Sequence, residues 1–404
     1  MSLIVQKYGG TSVGDIKKIT LVADKVIREK DNGNDIVVVV SAMSGETNRL
    51  ISLAKEIDSN ISGRELDALL STGEQVTIAL LTMLLNKKGH KAISLTGQQA
   101  GIITDDSFNK ARITSINHKI IKEKLDDGNI VVIAGFQGVS EAGEITTLGR
   151  GGSDTSAVAI SVVLDADECQ IYTDVDGVYT TDPNVVKDAK KLDQVTSEEM
   201  LELSSQGSKI LQPRSVEFAE KYNVNLRVAS TFSNSSGTQI VKGKSIKEQP
   251  IISGITFNKD EAQLTVRGVP DLPGIATKIL GPIADANIDI DMIVQNVGED
   301  GLANFTFTVN RNDYKNAKKL LSDSVKNLNA NKIEGNNNIV KVSMVGVGMR
   351  THAGVASKMF KILADENINI SMISTSEIKI SIVISEGDLE KALQALHSAF
   401  DLHT

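Results

Sequence analysis

The C-terminal part of the chain contains an internal repeat, which restricts the folds that it can adopt. Comparing the sequence with itself at an offset of 80 lays residues 271–293 over residues 351–373, with ten identities in 23 positions. In each copy a predicted strand leads into a glycine, a helix and a second strand that begins at Asn-Ile. The repeat therefore predicts two α+β modules of about 70 to 80 residues, each with helices on one sheet face. The identical pairs include Gly274 and Gly354, Asn287 and Asn367, and Met292 and Met372.

The N-terminal part, up to about residue 240, alternates short β-branched runs with longer helical patterns. The run Ile36–Val40 is apolar throughout, which is typical of a strand buried on both faces, so we predict an α/β fold with a mostly parallel sheet between helix layers. In such sheets ligands bind beyond the carboxyl ends of the strands. The predicted strands are Leu3–Tyr8, Ile36–Val40, Ala92–Leu95, Ile130–Ala134, Ile145–Leu148 and Gln170–Thr173.

The two parts are separated by a change in composition. Between Thr231 and Gln249 the chain becomes rich in Ser, Asn, Gly and Lys, as linkers are. We therefore predict an α/β domain over 1–245 and α+β modules over 246–335 and 336–404.

Composition argues against several classes of protein. A net charge of −8 and an aromatic content of 3% disfavour nucleic acid as a partner, because phosphates need a basic face and unpaired bases need stacking rings. A single cysteine, Cys169, excludes an intrachain disulfide. The start lacks a signal-peptide pattern and no apolar run approaches the ~20 residues of a membrane helix. We expect a cytoplasmic protein without a membrane partner.

The five histidines have no metal-ligand or triad spacing, so we assign no protein metal ligand.

Two glycine clusters follow predicted strands. Lys7–Ser12 (KYGGTS) opens a helix, where bare amides and a lysine suit a phosphate, although a plain strand-to-helix turn explains its glycines alone better. Gly149–Ser156 (GRGGSDTS) combines glycines with a guanidinium suited to a carboxylate. Helix capping accounts for Ser153 or Asp154 but not for Arg150. The second cluster therefore indicates a binding site.

Two further segments carry polar side chains near helix starts. Val40–Thr47 follows the valine strand with hydroxyls and a glycine, which indicates either a ligand edge or simple capping. Ser71–Gln75 places Glu74 at the start of an apolar helix, where the helix dipole favours an acid even without a ligand.

Downstream, Tyr172–Pro183 ends a strand in a turn with three carboxylates. One or two carboxylates together with phosphates hold Mg²⁺, but Asp-Gly and Asp-Pro are also ordinary turn dipeptides. Gly207–Arg214 supplies Lys209 before a helix, where a solvated lysine is the default interpretation.

Taken in order, these segments resemble the motif series of the aspartate kinases of the amino acid kinase family, and the repeat resembles their tandem ACT domains. The resemblance covers essentially the whole chain. It implies transfer of the γ-phosphoryl group of ATP, with Mg²⁺, to the β-carboxylate of L-aspartate, the first step toward lysine, threonine and methionine. Because the chain stops at Thr404, we expect the monofunctional kind without a homoserine dehydrogenase.

The resemblance also implies roles for individual residues. Gln212 departs from it, because many relatives have His there. The implied catalytic residues are Lys7, Asp154 and Lys209. Substrate would be bound by Ser41, Thr47, Glu74, Arg150, Gly152 and Ser153. ATP would be bound by Lys7, Gly9, Gly10, Ser12, Thr173, Asp174, Tyr179, Asp182 and Lys209. The effector would be bound by Asp271, Gly274, Ala276, Gln295, Asn369 and Ile370.

The chemistry of the acceptor agrees with this residue set. An aspartate side chain with a pKa near 3.9 is already ionised at neutral pH, so no general base is required. Catalysis then needs positioning and neutralisation of charge, from lysines and magnesium. In this scheme Asp154 orients the lysines, Arg150 binds the α-carboxylate of the substrate and Glu74 binds its ammonium group.

The repeat implies regulation. Tandem ACT modules resemble amino-acid sensors, so we expect lysine, threonine or both as effectors, and a homo-oligomer formed by ACT pairing, with or without a shorter chain from the same gene. A repeat that serves only as a dimerisation scaffold is the alternative. For the whole chain two alternatives stay open: a kinase of the same fold that acts on glutamate, acetylglutamate or a nucleotide, and a catalytically silent sensor.

Overall fold

The computed structural model describes residues 2–243, 251–298, 301–325 and 330–403. The predicted domain boundary at 245/246 lies outside these residues. The chain divides into two compact units. The first contains the described residues of Met1–Val178, Lys191–Ser205 and Lys209–Ile246, and the second those of Tyr179–Lys190, Gln206–Ser208 and Lys247–Thr404.

An eight-stranded sheet forms the centre of the first unit, in the order β10-β12-β11-β9-β1-β2-β6-β3. All its pairs are parallel except β11 with β12, which confirms the predicted mostly parallel sheet. Its strands are β1 (Leu3–Tyr8), β2 (Asp35–Val40), β3 (Ala92–Leu95), β6 (Ile130–Ala134), β9 (Glu168–Thr173), β10 (Gln194–Thr196), β11 (Leu226–Ser230) and β12 (Thr238–Val241).

Helices cover both faces of this sheet, as the all-apolar strand β2 requires. Alternate residues of β2, including Val38, pack in a core cluster with α1 and α4, while Val37 and Val39 are also fully buried on the other face. Helix α6 contacts β1, β2 and β9. The helices of this unit are α1 (Ile16–Asp31), α2 (Glu46–Ile57), α3 (Arg64–Leu70), α4 (Thr72–Lys87), α5 (Lys119–Asp126), α6 (Gly152–Leu164), α7 (Ser197–Ser205) and α8 (Pro213–Tyr222).

The predicted strand Ile145–Leu148 forms, but outside the main sheet. It is β8 (Ile145–Thr147) of a separate four-stranded sheet in the order β5-β4-β7-β8. Hydrophobic alternation alone does not identify a strand's partners, because partner choice depends on residues distant in sequence. The other three strands are β4 (Ile102–Thr104), β5 (Ile113–Ile116) and β7 (Gln137–Ser140).

The expectation that no apolar run approaches the length of a membrane helix was wrong for one helical stretch: Arg64–Lys87, which spans α3 and α4, is long and apolar enough to cross a membrane. It carries Asp67 and Glu74, which are almost completely buried inside the protein. Leu81 and Leu85 of the same stretch pack against the central sheet. These contacts are those of a core helix in a folded domain.

The second unit contains both copies of the repeat. The first copy is a sheet in the order β15-β16-β14-β17 and the second a sheet in the order β13-β18-β20-β19; the helices are α9 and α10 in the first and α11 and α12 in the second. The elements are β13 (Gly254–Asn258), β14 (Glu261–Pro270), α9 (Ile275–Asp285), β15 (Ile290–Val297), β16 (Leu302–Asn310), α10 (Tyr314–Val325), β17 (Lys332–Asn336), β18 (Ile339–Val345), α11 (Val355–Asp365), β19 (Met372–Thr375), β20 (Lys379–Ser385) and α12 (Leu389–Ala399), with short 3-10 helices at Arg311–Asp313, Val347–Thr351 and Glu386–Asp388.

Strand β13 differs from the division of the modules drawn from the sequence. It lies within 246–335, assigned to the first module, but it pairs antiparallel with β18 of the second. The second module supplies only three strands of its own after residue 336, so β18 would otherwise present an unpaired edge. The repeat could not reveal this exchange, because β13 lies outside the repeated segment.

The repeated residues have the same structural roles in both modules. The helices start at Gly274 and Gly354, which have φ of 88° and 90°, as predicted. Two residues beyond the last helical residues, Asp285 and Asp365, lie Asn287 and Asn367, which also have positive φ. In the first copy the next amide, of Ile288, bonds back to the Ile283 carbonyl. This backbone conformation after a helix favours Gly or Asn, which explains why asparagine is repeated. The second strand of each module begins later than the predicted Asn-Ile, at Ile290 in β15 and at Met372 in β19.

The two modules also meet through repeated positions. Met292 on β15 and Met372 on β19 lie in one buried cluster with Ile339 and Val383. Beside it, the buried Lys341 contacts the carboxylates of Glu261 and Asp291. The two copies of the repeat therefore pack against each other within this unit.

Candidate active site

The parallel register brings four loops to one edge of the central sheet. Tyr8 pairs with Val40 on one side and Tyr172 on the other, and Val40 pairs with Ala134. The residues that follow these strands therefore lie at one level, where such sheets bind ligands. A cavity of about 420 Å³ opens at this edge.

Lys7 is the buried cation of the cavity. It is 8% exposed, and its ammonium lies 2.5 Å from Asp154 Oδ1 at the start of α6. The contact is a short charge pair between two buried side chains. Two buried charges are tolerated when they are paired. Asp154 thus holds the Lys7 ammonium at the cavity wall.

Glu74 is a buried carboxylate with a free oxygen. Its Oε1 accepts a hydrogen bond of 3.0 Å from the Ala42 amide, but Oε2 is buried and has no hydrogen-bond partner in the part of the chain that the structure describes. Burial raises the pKa of Glu74 to about 7, while the Ala42 amide opposes the shift. A buried acceptor without a partner costs free energy, so Oε2 is suited to a ligand that donates, such as an ammonium group.

The glycine loop, residues 149–152, forms the opposite wall. Gly149 and Gly151 have φ of 76° and 71°, where residues with a Cβ are strained. A Cβ on Gly151 would lie 1.8 Å from Cγ of Gln212. Arg150, between these glycines, is exposed and lines the cavity. The tightly packed loop 149–152 therefore places the guanidinium of Arg150 at the cavity.

The structure brings together all six predicted substrate-binding residues, which line the cavity with Lys7, Gly10 and Asp154. Two predicted ATP-binding residues, Gly9 and Ser12, are close in sequence to Lys7 and Gly10 but do not line the cavity. Ser12 is fully buried, and its hydroxyl bonds to that of Thr231 at 2.6 Å. Gly9 donates its amide to the Tyr172 carbonyl.

The remaining predicted ATP residues lie elsewhere. Thr173 is the last residue of β9, and its hydroxyl accepts a hydrogen bond from the Val175 amide. The neighbouring Asp174 is exposed, and so is Lys209. Tyr179 and Asp182 belong to the second unit.

The predicted effector residues are all in the second unit. Asp271 follows β14, and Gly274 and Ala276 lie at the start of α9. Gln295 lies on β15, and Asn369 and Ile370 precede β19. Most of these side chains are exposed.

Phe136 is a site residue that the sequence analysis missed. It lines the cavity with a φ of 67°, which is an outlier for a bulky residue, and its amide donates to the Ser156 hydroxyl. Such strain concentrates at functional sites. The available signal was its place just after Ile130–Ala134, a strand end where ligands are expected. Met43, Ser44 and Gly45 also line the cavity.

Comparison with known proteins agrees with this geometry. Residues 2–230 match the amino acid kinase family, and residues 262–324 and 342–400 each match an ACT domain. The chain is 61% identical over 403 residues to the aspartate kinase of Pseudomonas putida, covering all of this chain and 98% of that one. The aspartokinase of Pseudomonas aeruginosa is also 61% identical, with the same coverage. The chain belongs to the aspartate kinases of the amino acid kinase family.

A solved aspartate kinase has the same fold. Escherichia coli aspartokinase III in complex with aspartate and ADP, in its R-state, has a TM-score of 0.81 and 25% identity over 98% of this chain and 99% of that chain. The same enzyme with lysine and aspartate, in its T-state, has a TM-score of 0.77. The predicted family, the fold class and the assignment as an ATP-dependent aspartate kinase with regulatory ACT domains are confirmed. The individual site residues stay predictions.

Proposed function

We propose that the cavity at the carboxyl edge of the central sheet is where L-aspartate accepts the γ-phosphoryl group of ATP on its β-carboxylate. One observation carries this assignment: a paired lysine, Lys7, and a carboxylate with a free oxygen, Glu74, are buried in one cavity with the exposed Arg150. An amino acid with two carboxylates and an ammonium group needs these complementary charges. The aspartate and ADP held by E. coli aspartokinase III support the substrate and the nucleotide.

In this proposal the substrate lies between the side chains of Arg150 and Glu74. Arg150 binds its α-carboxylate, Glu74 Oε2 accepts from its ammonium group, and Ser41, Thr47 and Ser153 supply hydroxyls. Because the acceptor carboxylate is already ionised, no residue has to remove a proton. The wall of the cavity positions the nucleophile.

Lys7 acts on the transferring group. Phosphoryl transfer passes through a loose transition state, whose charge lies on the peripheral oxygens. Asp154 fixes the ammonium of Lys7 before the substrates bind, so little reorganisation is needed at the transition state. Lys209 adds a second cation, and Gly9, Gly10, Ser12, Thr173 and Asp174 complete the part of the proposed nucleotide site that lies in the first unit.

Magnesium would enter with the nucleotide. Proteins hold Mg²⁺ through one or two carboxylates plus phosphates, and the exposed Asp174 beyond β9 and Asp154 in the cavity fit that mode. Within the described residues no group of three or more His, Cys, Asp or Glu side chains could hold a metal ion, so the phosphates would supply the larger share of its ligands. When bound, the ion neutralises phosphate charge.

The reaction is tested by trapping the acyl phosphate of the product with hydroxylamine in the presence of ATP and each acceptor. We expect hydroxamate from aspartate and none from glutamate or acetylglutamate. Product from acetylglutamate but not from aspartate would overturn the proposal.

We also propose that lysine, threonine or both bind the ACT modules as feedback inhibitors. Bare amides at the helix starts after Gly274 and Gly354 suit a small carboxylate. The lysine-bound T-state of E. coli aspartokinase III supports an amino-acid effector. The edge strand β15 exposes Ile293 and Val297, which supports a homo-oligomer through ACT pairing. A cytoplasmic location stays part of the proposal.

The effector site predicts a regulatory variant. Asn369→Ala should remove a polar contact to the effector and raise the inhibitory concentration of lysine or threonine about 10-fold, the value of a hydrogen bond of about 1.4 kcal/mol. The uninhibited rate should be unchanged, because Asn369 lies in the second unit. Rates measured against effector concentration check this.

Lys361→Ala is the matched control, since this exposed side chain lies on the adjoining helix α11. Its inhibition curve should superimpose on that of the wild type. An unchanged curve for Asn369→Ala would remove this residue from the effector site.

A further inference from the structure

Asp67, on helix α3, is a fully buried acid that the proposed reaction does not use. Its side chain has no exposed surface, and each carboxylate oxygen accepts two hydrogen bonds. Oδ1 accepts from the Asn109 side-chain amide at 2.5 Å and the Thr147 hydroxyl at 2.6 Å. Oδ2 accepts from the Asn109 and Thr147 backbone amides at 2.9 and 2.8 Å. Four donors from two residues therefore converge on one carboxylate.

The acid is compensated by these donors and not by a cation. Among the described residues, no Lys, Arg or His nitrogen forms an ion pair with Asp67. Burying a charge is costly unless hydrogen bonds satisfy it, and bonds to a charged acceptor are the strong ones. The geometry of Asn109 and Thr147 is therefore fixed relative to α3.

Both residues adjoin the glycine loop. Thr147 ends β8, three positions before Arg150. Asn109 has a φ of 67°, and its carbonyl oxygen would lie 3.1 Å from a Cβ placed on Gly149. The backbone that enters the loop thus passes directly over the residue that Asp67 holds.

The guanidinium of Arg214 holds Leu148, the residue that follows Thr147. The Arg214 guanidinium donates to the carbonyls of Leu148 at 3.1 Å and Ala111 at 3.2 Å. The Leu148 amide donates to the Phe136 carbonyl at 2.9 Å. None of the described residues forms a hydrogen bond or ion pair with the Arg150 side chain, which is exposed, so its position depends on the backbone before it.

We propose that Asp67 is a positioning residue for substrate binding: it fixes Thr147 and Asn109 so that the glycine loop presents Arg150 to the α-carboxylate of aspartate. This inference rests on the proposed role of Arg150. A displacement of about 1 Å at a substrate contact can cost about 10²-fold. Asp67 acts through Arg150 and does not touch the substrate.

The test is the substitution Asp67→Asn, which replaces an oxygen acceptor with an amide donor that faces other donors. We expect KM for aspartate to rise about 10- to 100-fold, with KM for ATP and kcat within about 3-fold of wild type. A structural defect alone would lower the active fraction and kcat and leave both KM values unchanged, and that result would overturn the proposal. Glu65→Gln, an exposed change on the same helix, is the control and should leave all three parameters unchanged.

Thr147→Val gives a second variant in case Asp67→Asn does not fold. It removes one of the four donors at nearly constant shape, and KM for aspartate should rise about 3- to 10-fold, the cost of one hydrogen bond. Thr147→Ser keeps the hydroxyl and should restore the wild-type value. Equal KM values in the Val and Ser variants would contradict the inference.

A double-mutant cycle separates this inference from the proposed function. Arg150→Ala alone should raise KM for aspartate; if it does not, the role of Arg150 fails. If Arg150→Ala has its effect, adding Asp67→Asn should raise KM no further, because residues acting through one contact are not additive. Multiplication of the two effects would show that Asp67 acts independently of Arg150, and only the positioning inference would fall.

Discussion

Lys7→Ala should reduce kcat by about 10³-fold or more, the loss expected when a fixed cation is removed from a phosphoryl transition state. Lys7 is 8% exposed and its ammonium is held 2.5 Å from Asp154. Water that fills the space cannot replace a pre-oriented charge. Steady-state rates at saturating ATP and aspartate measure the effect.

The same substitution also affects stability. Removing Lys7 leaves the nearly buried Asp154 without its partner, and stranding one member of a buried pair costs about 3–5 kcal/mol. Lys7→Ala combined with Asp154→Asn removes the stranded charge, so the double variant should recover thermal stability but not kcat. The control Lys17→Ala removes an exposed lysine and should change neither. Near-wild-type kcat in a folded Lys7→Ala protein would remove Lys7 from the mechanism.

Much of the fold could be predicted because its signals are local. Three strands have the predicted bounds: Leu3–Tyr8, Ala92–Leu95 and Ile130–Ala134. Short apolar runs between polar turns are typical of buried strands, so their positions could be predicted from the local sequence. The repeat located both α+β modules, because the glycine and asparagine at the helix ends are required by backbone conformation. Cavity residues such as Glu74 and Arg150 were predictable because both lie in polar motifs at helix starts, those of α4 and α6.

What the sequence did not predict depends on contacts between distant residues. The pairing of β13 with β18 joins segments that share no repeat. The positive φ of Phe136 could not be predicted from its residue type, because bulky residues normally avoid that conformation. Asp67 has the sequence signal of an ordinary acid in a short helix, and only the structure shows the donors of Asn109 and Thr147 around it.

Glu74 predicts a pH dependence for aspartate binding. Burial raises its pKa to about 7, so in the free enzyme the carboxyl is mostly neutral at pH 6 and ionised at pH 8. Only the ionised form attracts the substrate ammonium. Affinity for aspartate is therefore lost as the pH falls below 7 and is complete above it, so kcat/KM for aspartate should rise about 10-fold from pH 6 to pH 8 for a single group of this pKa.

Glu74→Gln isolates that group. The amide keeps the shape but has no charge, so KM for aspartate should rise about 10- to 100-fold, as for loss of a charged hydrogen bond of about 1.5–3 kcal/mol, and kcat/KM should lose its dependence on pH between 6 and 8. Glu56→Gln changes an exposed acid on α2 and should keep the wild-type profile. A pH profile that persists unchanged in Glu74→Gln would assign the titration to another group, and an unchanged KM would remove Glu74 from the ammonium site. Because the same substitution removes both the charge and the titration, the two results must appear together if one carboxylate is responsible for both.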